Sequence, residues 1–382
     1  MLRIRLDSHR SPTWNARATT AEVIALGPEV PIAQRLAVWR RQCASRIEKL
    51  ERASLSRRYV GYLTYDLAHC FEDLPLNTTE AVRVPLMAFV PIDDTASSAP
   101  VAEAPPAETT AVSPTVAHAD YLRAVRRCLD YIAAGDVFQI NLAQQLRVPT
   151  TATAADIYAR LRASTPAVYD ALLDFGPFAI VSNSPELFLK VERLADGRRR
   201  IVNRPIKGTR PTAPGAADAL RDSVKDQAEL AMIVDLQRND LGRICETGTV
   251  RVVAAREIET HPTVVHGVAT IEGVLREGVT LYDVLRATFP CGSVTGCPKI
   301  RAMQIIDELE PLRRGVYCGA IGWIENGEME LSVAIRTLTL ANGTAHVPVG
   351  GGIVADSTEA AEYEETLVKA RALLAALGAA NM

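Results

Sequence analysis

Strand-like segments follow one another in this chain without helices between them. Runs of apolar and β-branched residues occur at 171–174, 178–183 and 187–193, and again at 319–324, 330–340 and 344–349. Strands and helices therefore do not alternate as strict βαβ units. The expected architecture is α+β, with β-sheets covered by helices, and not a doubly wound parallel fold. Longer helices are expected at about 216–237, 298–308 and 358–377. An earlier amphipathic helix carries Leu122, Val125, Leu129 and Ile132 on one face and stops at Gly135. In the following Val137–Val148, Phe138, Ile140, Leu142 and Leu146 fall at even spacing, which puts Gln139 on the opposite face of a strand. Tyr59–Tyr65 (YVGYLTY) reads as a buried strand.

Thr95–Val116 is rich in Ala, Pro, Ser and Thr and has little to bury. A linker or long surface loop at 95–117 is expected to divide an N-terminal subdomain (1–94) from a larger part (118–382). The 382 residues are 48% hydrophobic, enough for a large core. A net charge of −3, from 42 basic and 45 acidic residues, favours neither nucleic acid nor an anionic membrane as partner. The opening residues lack the apolar run of a secretory signal, and no stretch is long enough to span a bilayer, so a cytoplasmic location is expected. The seven cysteines are odd in number and contain no CxxC, which reads as reduced thiols and not a disulfide or zinc framework.

Two carboxylate pairs stand out. Asp226 and Glu229 are three residues apart, as are Glu362 and Glu365, so each pair shares one face of its helix. If the helices face each other, four carboxylates converge, which like charges tolerate only around a cation. An all-oxygen donor set suits Mg²⁺. The same spacing also suits two solvated acidic faces, with Glu365 and Lys369 an ordinary i,i+4 pair. Two glycine segments could receive an anion. Cys291–Lys299 (CGSVTGCPK), with Thr295 and Gly296, runs into a helix near Pro298 that would offer free N–H groups. Val349–Ile353 carries Gly350, Gly351 and Gly352, where a ligand could approach the backbone closely. Either could equally be a plain turn, and the GxxxxGK[ST] spacing of a nucleotide loop is absent. Lys207 lies between Pro205 and Gly208, held by irregular backbone. A lysine there could become a nucleophile if its pKa fell, or could be an ordinary surface residue.

Taken together, eight blocks in order resemble the chorismate-utilising enzyme family. They are GDVFQINLAQ (135–144), SPELFLK (184–190), RPIKGTRP (204–211), AELAMIVDLQRNDLGR (228–243), FPCGSVTGCPKIRAMQIIDELEP (289–311), GVYCGAIG (315–322), SVAIRTLTL (332–340) and GGGIVADSTEAAEYEETLVKA (350–370). The resemblance implies that family's fold, with β-sheets packed face to face and flanked by helices. It also implies a chorismate site in which Mg²⁺ bridges the protein and the ring carboxylate. By position, Glu229 and Glu365 look like direct metal ligands, and Asp226 and Glu362 like their support. Tyr317, Arg336 and the backbone of 350–352 match the residues that hold the enolpyruvyl carboxylate, Lys369 matches a lysine beside the ring carboxylate, and His266 matches a histidine near the ring.

Two positions bear on the branch. Anthranilate synthases typically carry alanine where this chain has Lys207. In the aminodeoxychorismate synthases, that lysine attacks ring C2 while an acid matching Glu186 helps the 4-hydroxyl leave. Water-using relatives carry a lysine base at Gln139, a task a carboxamide cannot perform. The resemblance thus implies amination at C4, with ammonia from a separate glutamine amidotransferase subunit, toward 4-aminobenzoate and folate. Cys297 departs from the alanine of many relatives and is a candidate for alkylation. No match to a tryptophan-binding motif is visible in the N-terminal part.

Overall fold

A computed structural model describes residues 3–7, 23–27, 32–92 and 110–379 of the chain. Most of the expected linker, 93–109, lies outside the described residues. In chain order the strands are β1 (Arg3–Asp7), β2 (Ile24–Leu26), β3 (Arg58–Leu63), β4 (Met87–Ile92), β5 (Ser113–Pro114) and β6 (Gln139–Pro149). They continue as β7 (Tyr169–Asp174), β8 (Phe178–Ser184), β9 (Leu187–Arg193), β10 (Arg199–Arg204), β11 (Ile206–Pro211) and β12 (Arg251–Thr260). The last six are β13 (Val264–Val274), β14 (Gly296–Cys297), β15 (Ala320–Glu325), β16 (Glu328–Val333), β17 (Thr337–Ala341) and β18 (Thr344–Ile353). The helices are α1 (Ile32–Ala53), α2 (His118–Ala133), α3 (Ala154–Ser164), α4 (Ala216–Asp222), α5 (Val224–Gly242), α6 (Leu281–Thr288), α7 (Lys299–Leu309) and α8 (Glu359–Ala376). No helix among the described residues is long and apolar enough to cross a membrane.

Among the described residues the strands make an eight-stranded sheet, β1-β7-β8-β17-β18-β6-β14 with β5 on β6, and a ten-stranded sheet, β11-β13-β10-β9-β16-β15-β3-β4-β2 with β12 on β13. The two sheets pack face to face. Val60, Tyr62 and Val90 of the larger sheet meet Ala171, Leu173 and Ile180 of the smaller in one apolar layer. Helices close the outer faces. Ile157 and Tyr158 of α3 and Leu373 of α8 pack on the smaller sheet, and Ile47 of α1 and Leu285 of α6 belong to the cluster on the larger one. The α+β expectation holds. Strands β2–β4, from the first 94 residues, join the larger sheet through β3 against β15.

Several local expectations give way to geometry. The run 330–340 is two strands, because Arg336 takes a left-handed backbone (φ 51°) and turns the chain from one sheet to the other. The helix expected at 216–237 breaks at Ser223, whose extended backbone ends α4 and whose hydroxyl accepts from Asp226 N–H to start α5. The glycines of 349–353 are not a loop. They are the end of β18, laddered onto β6 from Thr344↔Pro149 to Ile353↔Ile140. Phe138 is 69% exposed, while Gln139, Ile140, Leu142 and Leu146 are all buried. Strand β6 is therefore covered on both faces, and simple alternation does not describe it.

One buried ion pair ties these elements together. Arg314 donates to both oxygens of Glu310, at 2.5 and 2.9 Å, with side-chain exposures of 2% and 4%. Arg314 also donates to the carbonyls of Val294 (2.9 Å) and Asn141 (2.5 Å), and Glu310 accepts the N–H of Ala143 (2.8 Å). Replacing Arg314 with Met leaves a buried carboxylate nearly alone, which costs about 3–5 kcal/mol. Urea unfolding should show that loss for Arg314→Met and recovery of much of it in Arg314→Met with Glu310→Leu. Equal losses in the single and double variants would show that the pair is not what holds this region.

Candidate active site

Strand β18 ends in three glycines that run past the side chains of three other elements. A β-carbon built at Gly352 would lie 2.5 Å from Gln139 Nε2 and 3.7 Å from Lys207 Nζ. One at Gly351 would lie 3.1 Å from Glu362 Oε2, 3.6 Å from Glu365 Oε1 and 3.8 Å from Lys369 Nζ. Only backbone without side chains leaves room there, so β6, β11 and α8 present their polar groups to one short stretch of strand. Lys369 donates to the Gly350 carbonyl at 3.0 Å and pairs with Glu365 at 2.6 Å.

Lys207 is not in a loop. It sits in β11 at a bulge, where the register with β13 shifts between Ile206 and Thr209. Bulges re-aim side chains at the expense of one unpaired residue. Gly208 makes this one possible, with φ +79° and a β-carbon position 2.6 Å from Leu220 and 2.8 Å from Asp226 Cγ. The Lys207 amine donates to the Ser293 carbonyl at 3.2 Å. Burial lowers its pKa, and Lys369 pushes the same way, while Glu229, Glu186 and Glu365 oppose.

Glu186 lies between β8 and β9 and is 3% exposed. Burial pushes its carboxyl up to about 7, against the pull of the Ser293 hydroxyl, Lys207 and the Ile206 N–H. Its Oε1 has no hydrogen-bond partner among the described residues. The two groups are thus tuned toward each other: an amine made easier to deprotonate beside a carboxyl made harder to ionise.

Around this pair, His266 on β13 is buried, with Nδ1 2.9 Å from Thr209 Oγ1. Burial, then His261 and Arg336, pull its pKa down to about 4, so the ring is neutral at pH 7. The Arg336 guanidinium donates no hydrogen bond to any described residue, and burial lowers its pKa against the pull of Tyr317 and Glu365. A desolvated guanidinium with empty donors fits a carboxylate. Tyr317 is buried beside it, and burial raises its hydroxyl pKa. The Thr295 hydroxyl is committed to the Cys291 and Gly292 carbonyls. Gly296 lets β14 pair closely with β6, since a β-carbon there would sit 2.2 Å from the Gln139 carbonyl.

The four carboxylates lie on α5 and α8, but among the described residues no three Asp, Glu, His or Cys side chains come close enough to form a ready metal cage. Two of them are answered at close range by a cationic side chain. Asp226 pairs with Arg210 at 2.7 Å, and Glu365 with Lys369. Burial raises the Glu229 carboxyl, as do Asp226 and Glu365, with Lys207 and Lys225 opposing. Burial pushes Glu365 up as well, but Lys369, Lys225 and Lys207 outweigh it and hold it below the ordinary value. Glu362 is 4% exposed, and its Oε2, directed at Gly351, has no hydrogen-bond partner among the described residues. An orphaned buried carboxylate oxygen within an all-oxygen set fits a hard cation or its bound water. Lys299 does not serve an anion site, because it is held by Asp240 and the Thr288 carbonyl. Burial raises the Cys297 thiol, which leaves less thiolate for alkylation. Two residues inside the matched blocks that were assigned no role from sequence, Ser293 and Ser357, contact the acid–amine pair and Glu362 respectively.

Comparison with known proteins identifies the family. The family described as chorismate binding enzyme matches residues 3–375. Anthranilate synthase component 1 of Thermus thermophilus is 48% identical over 265 residues, covering 67% of this chain and 56% of that protein. The Streptomyces coelicolor protein of the same name is 39% identical over 373 residues, covering 83% and 72%. The chain thus spans just over half the length of the Thermus relative. Among solved structures, anthranilate synthase component I of Streptococcus pneumoniae superposes with a TM-score of 0.74 at 32% identity, covering 82% of this chain and 80% of that one. A Bacillus anthracis protein described as a putative isochorismate synthase specific for 2,3-dihydroxybenzoate shares the fold at 20% identity, with a TM-score of 0.75 and coverage of 99% and 96%.

The Glu186 carboxyl should lose its proton near pH 7, not near the ordinary 4.5. A folded-state pKa raised above the unfolded value contributes stability at low pH that is lost as pH rises through 4.5 to 7. Relative to Glu186→Gln, the wild-type chain should therefore lose up to about 3 kcal/mol across that window. Infrared difference spectra should show a carboxyl C=O band that vanishes near pH 7 and is missing in Glu186→Gln. A band already gone at pH 5 would remove Glu186 as a proton donor.

Proposed function

The chain belongs to the chorismate-binding enzyme family, and from that premise we propose that it aminates chorismate at C4, in the manner of an aminodeoxychorismate synthase. The observation that carries this reading is the Lys207 amine, aimed by a bulge at the glycine strand and close to Glu186, whose carboxyl burial pushes up to about 7. Neutral Lys207 attacks ring C2, and the ring double bonds shift. The C4–O bond breaks, and the Glu186 proton leaves with the hydroxyl as water. Ammonia then adds at C4, the double bonds return, and the C2–N bond breaks to free Lys207. The surplus proton on the new amine returns to Glu186, so the sum is one ammonia in and one water out.

Arg336 and the N–H groups of 350–352 would hold the enolpyruvyl carboxylate. Glu229 and Glu365, backed by Asp226 and Glu362, would hold Mg²⁺, and Lys369 would stand beside the ring carboxylate. When bound, the cation neutralises that carboxylate and fixes the ring. Gln139, buried with neither polar atom of its amide partnered among the described residues, has no basic nitrogen to activate water. Ammonia would come from a glutamine amidotransferase partner, since ammonium at neutral pH is not a nucleophile. The product feeds 4-aminobenzoate and folate synthesis in this reading.

A second reading, component I of anthranilate synthase, is favoured by the names of the relatives. It would make a 2-amino aromatic product and gives Lys207 no covalent task. The two separate in one assay. The purified chain with chorismate, Mg²⁺ and an ammonium salt should yield 4-amino-4-deoxychorismate, converted to 4-aminobenzoate by an added lyase. Lys207→Ala should abolish this product, and Glu186→Gln should slow it by about 10²–10⁴-fold. Anthranilate as product, with normal rates in Lys207→Ala, would replace this reading with the second.

A further inference from the structure

The turn that leads from β18 into α8 contains a serine whose two hydrogen-bonding roles are both taken. Ser357 Oγ accepts the N–H of Val354 at 3.0 Å and donates to Glu362 Oε1 at 2.5 Å. Ser357 N–H in turn donates to the Val354 carbonyl at 2.9 Å, so one residue closes the turn from both sides. With Val354 N–H on the oxygen lone pair, the hydroxyl proton points to Glu362. Thr358, at the N-cap of α8, makes no side-chain cap. The first-turn carboxylate is thus fixed by Ser357 and not by a capping box. Both Ser357 (8% exposed) and Glu362 (4%) are buried, so water does not compete for the contact.

The consequence falls on the other oxygen. Glu362 Oε2 has no partner among the described residues and is directed at Gly351, beside Glu365 Oε1. We propose that Ser357 is a positioning residue that holds Oε1 of Glu362 and so presents Oε2 alone to the cation site. Glu362 then offers one oxygen to Mg²⁺ or to its bound water and cannot chelate with two. The proposal rests on the reading of the α5 and α8 carboxylates as the Mg²⁺ site. Partners that orient a ligand in this way typically change metal affinity 10–100-fold when removed.

The test reads cation binding and not turnover. MgCl₂ is titrated into the intact chain, and the midpoint is taken from the rise in Tm, with calorimetric heat as a second signal. Ser357→Ala should move the midpoint to Mg²⁺ concentrations higher by about ten-fold or more, and Ser357→Thr, which keeps the hydroxyl, should restore it. Glu365→Gln serves as control for the site itself. An unchanged midpoint in Ser357→Ala, while Glu365→Gln loses the response, overturns the role of Ser357 and leaves the metal reading standing. Loss of the response in both Ser357→Ala and Ser357→Thr traces it to packing and not to the hydroxyl, and also overturns the proposal. No Mg²⁺ response in the wild-type chain overturns the metal reading and the proposal together.

Discussion

Arg314 sits where β6, the 291–295 segment and the end of α7 come together, and its guanidinium is committed to groups that shape the site. Glu310 takes one edge of the fork, and the carbonyls of Asn141 and Val294 take the rest. Asn141 belongs to β6, two residues from Gln139, and Val294 follows Ser293, whose carbonyl receives the Lys207 amine. Burying this pair is expensive, and only complete hydrogen bonding offsets the lost hydration. That requirement fixes three pieces of backbone relative to one another: β6, the 291–295 segment and the end of α7. The glycine strand β18 then has one place to lie, along β6 and over Lys207.

Within that frame the site is organised by opposed electrostatics. Burial disfavours charge on every group it covers, and here it covers an acid and a base together. It pushes the Glu186 carboxyl up to about 7 and the Lys207 amine down, so each is moved toward its neutral form. A neutral amine can attack, and a neutral carboxyl can donate, in the same protonation state. A few ångströms away the logic reverses. Asp226 on α5 and Glu365 on α8 lean on Arg210 and Lys369, and among the described residues no three carboxylates gather into a cage. The orphaned Oε2 of Glu362 is the exception, and Ser357 explains why that oxygen and not its twin is exposed to the site.

Much of this was legible from residue order. Type and spacing suffice for α2, for β7–β9 and for two carboxylates on one face of α5 and of α8, since these depend on local period. The absence of βαβ alternation excluded a doubly wound sheet. Less legible was anything set by contacts between distant segments. Lys207 read as loop because Pro205 and Gly208 flank it, yet pairing with β13 makes that stretch a strand and turns the glycine into a bulge. The glycines of 350–352 read as a turn for the same reason, although β6 holds them in a ladder. Arg336 left no local sign that it would adopt a left-handed backbone and split one expected strand into two. Ser293 and Ser357 carry no motif of their own. Their importance lies in which side chains they touch, and those are far away in sequence or on the next turn of chain.

The central claim is that Lys207 forms and breaks a bond to the substrate ring, and intact-protein mass spectrometry tests it directly. The chain is mixed with chorismate and Mg²⁺ without ammonia, quenched and digested. The account predicts a mass gain equal to chorismate less one water, located on the peptide that contains Lys207 and lost when ammonium is added before quenching. An unmodified Lys207 under conditions where the same preparation turns over with ammonia would contradict it.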